Sequence, residues 1–520
     1  MARIIQTADL DPDKKLSQND NDRIYNALDC CVTLEVRDAL LPQLDNQTSF
    51  IYNFSRELQA PILEMSMRGV KVNRAAYDKA LRDIRFKIER ISAQFEAICI
   101  DGIGTAISWR SPAQVKRLFY DILGLKPVLK RNAEGQYKPT ANREALEKMC
   151  EYYLGEPLAL RLLALRDLDK KRQFLETNLD ADNRVRTSYN IAGTNTGRLA
   201  SSITEFDTGT NLQNVDRELR YPFIADEGYK FCNIDLRQGD ARNVGAICWE
   251  LFYGSRGANF AGSYLDACES GDLHTAVSRM VWHELPWTDD PKQNKKIAEQ
   301  IAYRADSYRQ LAKKLGHGTN YLGTPRTMAK HTKTSSGLIT DFQSRYFGAF
   351  PCIPEWHKHV AATLADTGQI TTLFGRRRSF FGRPEDPATI REAVAYEPQS
   401  LTADQIDTGL LKLHRQQDEH RIQLLLQVHD SILFQYPEER EAEVVPWAME
   451  LVKLNFNLAG GRKFVVPTDA KIGWNWGDVA YDKEGKIKDN EQGLMEFNPN
   501  KPDTRRRVEM RPKTLRELLA

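Results

Sequence analysis

Residues 423–436 read QLLLQVHDSILFQY, which is two apolar runs separated by a short polar break. Apolar and aromatic runs of this length around a short turn predict a β-hairpin, with Asp430 at its turn. An unpaired charge is costly in such an apolar context. The pattern therefore indicates a carboxylate that is held at a strand end for a reason other than packing.

A second apolar strand, FCNIDL at residues 231–236, carries Asp235 near its end. An aspartate after a strand is more often a turn former or a helix N-cap, and Asp235 alone favours that interpretation. Paired with Asp430, it can hold two Mg²⁺ ions about 4 Å apart for phosphoryl transfer. Mg²⁺ needs only one or two carboxylates besides substrate phosphates. We therefore expect a fold that brings the two strand ends together.

Between the two aspartates, the sequence predicts a helix with a basic side. Four residues recur at every fourth position: Arg309, Lys313, His317 and Tyr321. Each is rotated only about 40° from the one before, so all four share one side, where cations can bind phosphate oxygens. A solvated basic stripe on a structural helix is the open alternative. Three glycines favour close approach of another backbone or of a base: Gly316, Gly318 and Gly323.

Composition excludes several classes of protein. The chain has 520 residues, of which 41% are apolar and 28% charged, and this length predicts about three or four domains. It contains no long apolar stretch and no signal-like N-terminus, so we expect no membrane segment. The eight cysteines show no zinc spacing, which is typical of reduced thiols in a cytoplasm. Positive charge is local, because nine Lys or Arg stand against two acids from Lys295 to Lys333. Such a segment favours a polyanionic partner.

The order of the motifs resembles that of family-A DNA polymerases, the bacterial DNA polymerase I group. The resemblance runs from about residue 55 to 480 and includes TGRL at 196–199, NLQN at 211–214, DLH at 272–274, QVHD at 427–430, and Arg391 and Gln399 ahead of TAD at 402–404. It implies an α+β right-hand fold with an antiparallel-sheet palm, helical fingers and a helical thumb. The implied activity is template-directed addition of dNTPs to a primer 3′-hydroxyl.

The resemblance also implies a division of the chain into domains. The expected parts are a remnant of a 3′–5′ exonuclease domain at 1–45, a thumb at 46–187, the first part of the palm at 188–256, fingers at 257–390, the second part of the palm at 391–480, and a flexible basic tail at 481–520. A heptad stripe from Tyr77 to Ile98 predicts the long thumb helix, with Asn73 as its N-cap. Another helix is expected to begin near Gln399.

Carried over position by position, the resemblance implies the functional residues. Asp235 and Asp430 would be catalytic and would bind two Mg²⁺ ions, helped by the backbone carbonyl of Leu236. Lys313 would be a catalytic acid for the leaving pyrophosphate. The nucleotide-binding residues would be Arg309, His317, Tyr321, His274 and Asp240. The DNA-binding residues would be Arg198, Gln213, Arg391, Gln399, His429 and Lys170.

Several positions depart from the family pattern. The family usually has Phe or Tyr at His317 and Glu at Asp240, so these motifs do not predict sugar discrimination. It also usually has Glu at Ser431. YNALD at 25–29 resembles the last exonuclease motif, but the earlier carboxylate motifs are missing upstream of it. We therefore expect no intrinsic proofreading unless a separate polypeptide completes that site. Tyr25 and Asp29 are equally well interpreted as ordinary residues on a helix surface.

The expected partners are primer–template DNA, dNTPs and a separate exonuclease polypeptide or other replisome proteins. We expect a monomer in the cytoplasm of a bacterial host, because the short chain and its departures resemble a bacteriophage replicative enzyme. One alternative is a single-subunit RNA polymerase, whose motifs include the His-Asp-Ser sequence found at 429–431. Another is a non-catalytic DNA-binding protein on a polymerase scaffold. Binding duplex alone would require neither aspartate, so the retained pair argues against that alternative.

Overall fold

The structure is a computed structural model, and the residues that it describes are 17–132, 135–303, 306–482 and 484–507. They fall into two compact units. We call the one made of residues up to 58 together with 243–401 the helical unit, and the one made of 59–242 together with 402 onward the sheet unit. Within the described part of the chain, no helix has both the length and the apolar character needed to cross a bilayer.

The chain alternates between helical segments and short strands. In chain order, the α-helices of the described residues are α1 (Gln18–Leu40), α2 (Asn46–Glu57), α3 (Gln59–Arg68), α4 (Arg74–Ile103), α5 (Pro112–Lys116), α6 (Arg143–Met149), α7 (Glu156–Leu175), α8 (Gly239–Arg256), α9 (Ala258–Glu269), α10 (Leu273–Val281), α11 (Pro291–Ala298), α12 (Tyr308–Asn320), α13 (Pro325–Thr332), α14 (Ser336–Ala349), α15 (Cys352–Thr367), α16 (Pro387–His420) and α17 (Glu441–Val452). The strands are β1 (Val70–Val72), β2 (Leu129–Arg131), β3 (Tyr137–Pro139), β4 (Arg184–Val185), β5 (Ser188–Asn190), β6 (Ala200–Ser202), β7 (Phe223–Ile224), β8 (Tyr229–Leu236), β9 (Ile301–Tyr303), β10 (Asp306–Ser307), β11 (Gln369–Thr371), β12 (Arg377–Ser379), β13 (Gln423–Val428), β14 (Ser431–Pro437), β15 (Leu454–Asn457), β16 (Lys463–Val466), β17 (Thr468–Gly473), β18 (Ala480–Tyr481), β19 (Ile487–Asp489) and β20 (Met495–Glu496).

The centre of the sheet unit is a five-stranded antiparallel sheet with the order β13-β14-β8-β17-β20. The predicted hairpin at 423–436 is confirmed as β13 and β14. Val428 pairs with Ser431, so only His429 and Asp430 form the turn. His429 has a φ of 58°, as two-residue hairpin turns require a positive φ. The turn therefore places Asp430 directly beyond the apolar strands.

The long helix predicted from the heptad stripe is confirmed as α4. Its N-cap is Asn73, whose side chain accepts a hydrogen bond from the backbone N–H of Ala76. Tyr77, Ile88 and Phe95 are buried along one side of the helix. Fully burying a large apolar side chain contributes about 1.5–3 kcal/mol. The stripe therefore makes α4 a firmly packed part of the sheet unit.

The helix expected to begin near Gln399 instead begins at Pro387 and continues through Pro398 to His420. The predicted start is therefore wrong by about three turns, and the helix contains an interior proline. An interior proline costs about 3 kcal/mol through its missing N–H and a steric clash. Residues on both sides of it are buried, including Val394, Tyr396 and Leu401, and their packing outweighs that cost.

The division into two units does not test the predicted thumb, palm and fingers, whose boundaries stay predictions. Within the helical unit, α2 is held by contacts with residues far along the chain. There Asp45 pairs with Arg377 at 2.8 Å, and the side chain of Gln47 lies against Gly375. These contacts join residues distant in sequence, so no local pattern indicates them.

Part of the segment predicted to be a flexible tail, residues 484–507, has defined contacts in the structure. β20 pairs with β17 at the edge of the five-stranded sheet. Further along, the side chain of Asp503 is only 3% exposed and binds Lys230 Nζ at 2.8 Å and Arg505 Nη2 at 2.7 Å. The many charges were interpreted as solvated, whereas several of them pair inside the fold. Residues 508–520, and residues 1–16 of the predicted exonuclease remnant, lie outside the described residues.

Asp503→Ala is expected to lower the free energy of unfolding by about 3 kcal/mol, because it removes one partner of a buried ion network. Burial alone would raise the pKa of Asp503, but hydrogen bonds from Arg505 and Lys230 lower it from 3.8 to about 2. A lowered pKa stabilises the fold above the ordinary value, so this contribution is lost as the pH falls from 3.8 to about 2. Urea denaturation at several pH values measures both effects.

The matched control is Asp478→Ala. Asp478 pairs with Lys471 at 2.8 Å, but both side chains are more than 40% exposed. Solvent screens such a pair, so its loss should change the free energy of unfolding by less than about 1 kcal/mol. Equal effects of the two substitutions would show that the network around Asp503 does not brace the tail.

Candidate functional site

Asp235 and Asp430 lie at the same end of the five-stranded sheet. Asp235 on β8 stands opposite Ser431 on β14, the residue directly after Asp430. The backbone N–H of Leu236 donates a hydrogen bond of 3.2 Å to the backbone carbonyl oxygen of Asp430. The structure therefore brings together the two strand ends that the sequence predicted would meet.

The electrostatics of these two residues are those of a shared anionic site. Desolvation by the surrounding protein, followed by the charges of Asp430 and Asp469, raises the pKa of Asp235 to about 7, although its side chain still reaches solvent. Burial, together with the charge of Asp240, raises the pKa of Asp430. A cation placed near carboxylates whose pKa values are raised by burial and neighbouring acids favours their charged form. The donor set is therefore suited to a hard divalent ion such as Mg²⁺.

No group of three or more His, Cys, Asp or Glu side chains suited to a metal ion occurs in residues 17–132, 135–303, 306–482 and 484–507. Two carboxylates and a backbone carbonyl would leave most coordination positions for water or for substrate oxygens. This is the usual arrangement for Mg²⁺ with phosphate substrates. The site thus lacks the closed ligand set of a structural metal.

Asp469 is a neighbour that the sequence analysis missed. It lies on β17 directly opposite Asp235, on the side away from β14. Its carboxylate pairs with Arg237, whose Nε lies 3.0 Å from Oδ1. The only sequence signal was the alternating pattern of TDAKIG at 468–473, which is weak for a strand of six residues.

Asp240 lies in the first turn of α8, where two other side chains hold its carboxylate. The hydroxyl of Thr402 donates a hydrogen bond of 2.6 Å to Oδ1 of Asp240. Nη2 of Arg198 lies 3.8 Å from the same oxygen. Asp240 and Arg198 are therefore both close to Asp430, whose pKa responds to their opposite charges. Their roles toward nucleotide and DNA stay predictions.

A buried chain of hydrogen bonds supports the turn that carries Asp430. Gln213 is only 8% exposed and donates to Oε1 of Gln427 at 3.1 Å. Nε2 of Gln427 donates to the carbonyl oxygen of His429 at 2.6 Å, and the hydroxyl of Tyr189 donates to the carbonyl oxygen of Gln427 at 3.0 Å. The sequence analysis assigned Gln213 to DNA and missed Tyr189 and Gln427. The sequence signal for these buried hydrogen bonds was the polar Gln427 inside an apolar run.

The other residues assigned to DNA lie on accessible positions. In the sheet unit, Lys170 is exposed on α7 and His429 is exposed in the hairpin turn. In the helical unit, Arg391 is exposed and Gln399 is half-buried, both on α16. Their contacts with DNA stay predictions.

In the helical unit, α12 confirms the predicted helix and separates a buried from a polar side. It begins with a capping box in which Ser307 and Gln310 exchange hydrogen bonds. Lys313 and His317 are exposed, while Leu311 and Leu315 are buried on the other side. The ring of His317 lies edge-on to that of Tyr321, with 4.8 Å between the centroids. The stripe is thus a face with defined side-chain contacts.

The carboxylate of Asp272 orients Arg309, the first cationic residue on the polar side of α12. Nε of Arg309 lies 2.9 Å from Oδ2 of Asp272, which also caps the N-terminus of α10. Burial, followed by the charge of Arg309, lowers the pKa of His274 to about 4. His274 is therefore neutral at pH 7 and offers a hydrogen-bond donor instead of a charge.

The glycines of α12 are explained by packing inside the helical unit. The N–H of Gly323 donates to the carbonyl oxygen of Gly318 at 2.8 Å. A Cβ on Gly323 would lie 2.7 Å from that oxygen, so no larger residue fits. At Gly316 and Gly318 the nearest atoms are the side chains of Tyr346 and Met328, so the close approach of another backbone or of a base stays a prediction.

The sequence matches the DNA polymerase family A over residues 78–478. The chain belongs to this family. The region of family-A similarity includes both aspartate strands and α12, whereas the tail at 484–507 follows it. The α+β polymerase fold expected from the sequence is also confirmed by a solved structure, the POL domain of Pol1 from M. smegmatis in complex with DNA primer–template and dNTP. The two share a TM-score of 0.69 at 22% identity, over 86% of this chain and 74% of that chain.

Several family-A relatives are bacterial enzymes. DNA polymerase I of Chloroflexus aurantiacus is 26% identical over 483 residues, which are 88% of this chain and 46% of the relative. The thermostable DNA polymerase I of Thermus aquaticus is 26% identical, over 80% and 47%. DNA polymerase I of Pseudomonas aeruginosa is 25% identical, over 88% and 47%. This family-A chain thus spans about half the length of the curated relatives it matches.

In this family-A chain, the ring of His274 is expected to titrate near pH 4, as measured by NMR of labelled histidine. Because the pKa in the folded state is below the ordinary 6.5, His274 makes the fold less stable as the pH falls from 6.5 to about 4. Arg309→Leu should raise the pKa by removing a cation, and Asp272→Asn should lower it by removing an anion. A wild-type midpoint near 6.5 would contradict the assigned environment.

Proposed function

We propose that this chain is a template-directed DNA polymerase that adds dNTPs to a primer 3′-hydroxyl. The observation that carries the proposal is the meeting of Asp235 and Asp430 at one end of the sheet, where the pKa of each carboxyl is raised. Membership of family A and relatives that are DNA polymerases support it. Two carboxylates with open coordination positions suit phosphoryl transfer, in which positioning and electrostatics perform most of the chemistry.

Different residues would perform the metal binding, triphosphate binding and proton transfer of this reaction. Asp235, Asp430 and the carbonyl of Leu236 would hold two Mg²⁺ ions, whose chemistry is to stabilise the attacking and leaving oxygens. Arg309, already oriented by a carboxylate, would bind triphosphate oxygens through its planar guanidinium. The exposed ammonium of Lys313 would give a proton to the leaving pyrophosphate.

The remaining residues of the helical unit would orient the nucleotide. His274, neutral at pH 7, would donate a hydrogen bond to the triphosphate without adding charge. The edge-on pair of His317 and Tyr321 offers an aromatic surface for the sugar and base. Asp240, held by the Thr402 hydroxyl, would contribute to selection of the sugar.

Asp430→Ala is expected to abolish primer extension while leaving primer–template affinity within about twofold, because the carboxylate acts on the reacting phosphates and not on the duplex. Asp235→Asn, which removes the charge and keeps the shape, should have the same effect. Extension kinetics with each dNTP and rNTP, alongside DNA binding by anisotropy, measure both. Preferential use of rNTPs would favour an RNA polymerase instead.

Asp478→Ala serves as the control, since it removes an exposed acid of the same unit that pairs with Lys471. It should extend primers at the wild-type rate. If Asp430→Ala retains turnover within about tenfold of wild type, equivalent to about 1.4 kcal/mol of barrier, the catalytic role is wrong.

We also propose the finer assignments of the sequence analysis: thumb, palm and fingers, a monomeric enzyme in a bacterial cytoplasm, and a role in phage replication. Departures from the family pattern such as Ser431 support the phage role, and the matched relatives are bacterial enzymes. A partner polypeptide is supported by α1, which has no buried residue. Its exposed apolar side chains include Tyr25, Val32, Val36 and Leu40, each at least 50% exposed.

Purified chain is expected to show no 3′ trimming of a primer in the absence of dNTPs. Asp29 lies on the exposed surface of α1, and one carboxylate cannot hold the metal pair of an exonuclease. The assay follows primer length with and without Mg²⁺. Strong metal-dependent trimming that survives Asp29→Ala would show an exonuclease elsewhere, and trimming lost in that variant would show an active remnant. Either result contradicts the proposed lack of proofreading.

A further inference from the structure

Asn320, the last residue of α12, is joined to three other helices through three hydrogen bonds. Its Nδ2 donates to the hydroxyl of Tyr264 on α9 at 2.9 Å. The hydroxyl of Tyr346 on α14 donates to its Oδ1 at 2.8 Å. Nε2 of His357 on α15 donates to its backbone carbonyl oxygen, also at 2.8 Å. The end of α12 is therefore pinned from three directions inside the helical unit.

We call Asn320 and its three hydrogen-bond partners the pin. The pin is buried, so the loss of any one of its hydrogen bonds is costly. Asn320 is 3% exposed, Tyr264 is 3% exposed, Tyr346 is fully buried and His357 is 8% exposed. Removing one partner of a buried hydrogen bond leaves the other with its full desolvation cost. A carbonyl at the end of a helix also lacks an intrahelical partner, and His357 supplies one. An apolar side chain at this position would need no hydrogen-bond partners. Asn320 does need them, so it specifies one orientation of the end of α12.

The chain reverses tightly just after the pin. Tyr321 is the C-cap of α12, and Leu322 follows it with a φ of 57°. A left-handed conformation strains a residue that carries a side chain, and it persists only where the surroundings hold it. Gly323 then closes the turn by its hydrogen bond to the Gly318 carbonyl. The backbone of Tyr321 is thus held between a buried pin and a strained turn.

We propose that Asn320 is a positioning residue for nucleotide selection, which acts by holding the ring of Tyr321 against His317 in one arrangement. Asn320 itself is buried and touches no substrate, so it acts only through its neighbours. The inference rests on the proposed function, in which Tyr321 and His317 face the incoming nucleotide. It assigns to the buried pin a part in specificity as well as in stability.

The test is Asn320→Ala in the full chain, studied by single-nucleotide incorporation. The KM for dNTP is expected to rise about fivefold to tenfold, with kcat within about twofold. The ratio of kcat/KM for dNTP over rNTP is expected to fall by at least about threefold, because a mobile Tyr321 ring discriminates less. Tyr346→Phe, which removes one bond and keeps the ring, should produce a smaller change in the same direction and guards against misfolding of the first variant.

Asn294→Ala is the matched control. Asn294 is another buried asparagine of the helical unit, at 6% exposed, and it bonds Thr288 instead of α12. It should lower the melting temperature as Asn320→Ala does, while leaving KM and the sugar ratio unchanged. If Asn320→Ala and Tyr346→Phe also leave both kinetic quantities unchanged, the pin is only structural and the proposal is overturned.

Fluorine NMR of fluorotyrosine at position 321 provides a readout that does not depend on activity. One ring environment is expected in the wild-type chain and in Asn294→Ala, and exchange between several in Asn320→Ala. A single unchanged environment in Asn320→Ala would refute the pin even if kinetics change. If the wild-type chain extends no primer, the proposed function fails, whereas this measurement still decides whether Asn320 fixes Tyr321.

Discussion

The register of β8 against β14 is the constraint on which the candidate site depends. Antiparallel pairing places Asp235 opposite Ser431, and a two-residue turn leaves Asp430 directly beside it. Side chains on a strand alternate between faces, so a slip of one residue would turn Asp235 to the opposite face. The apolar side chains of the hairpin hold this register, and the backbone bond from Leu236 to Asp430 closes it. Packing of the sheet thus imposes the proximity of two like charges.

The charges of the site are arranged by their immediate neighbours. In the sheet unit, desolvation, followed by the charges of Asp430 and Asp469, raises the pKa of Asp235, and a nearby cation would favour its charged form. In the helical unit, Arg309 is oriented by Asp272, and burial keeps His274 neutral. Each unit therefore holds its own charged groups in place through contacts within that unit.

Buried polar groups define the geometry around these charges. Gln213 and Gln427 support the turn of Asp430, and Asn320 ends α12. The ion pair of Lys230 and Asp503 joins the sheet to the tail, which lies outside the region of family similarity. Each group costs desolvation, which is offset only when every partner is in place. Such networks therefore specify one arrangement of the backbone where apolar packing would allow several.

The sequence by itself determined the local elements and the chemistry of the motifs. The hairpin, α4 with its Asn73 cap and α12 follow from periodicity and capping, which are properties of neighbouring residues. Only the tertiary structure decided what depends on residues distant in sequence. The helix through Pro398, the pairing of Asp469 with Arg237 and the folded tail at 484–507 each rest on such contacts. The sequence around a charged residue or a proline is the same whether that residue is solvated or packed. Only its contacts with residues distant in sequence decide between the two.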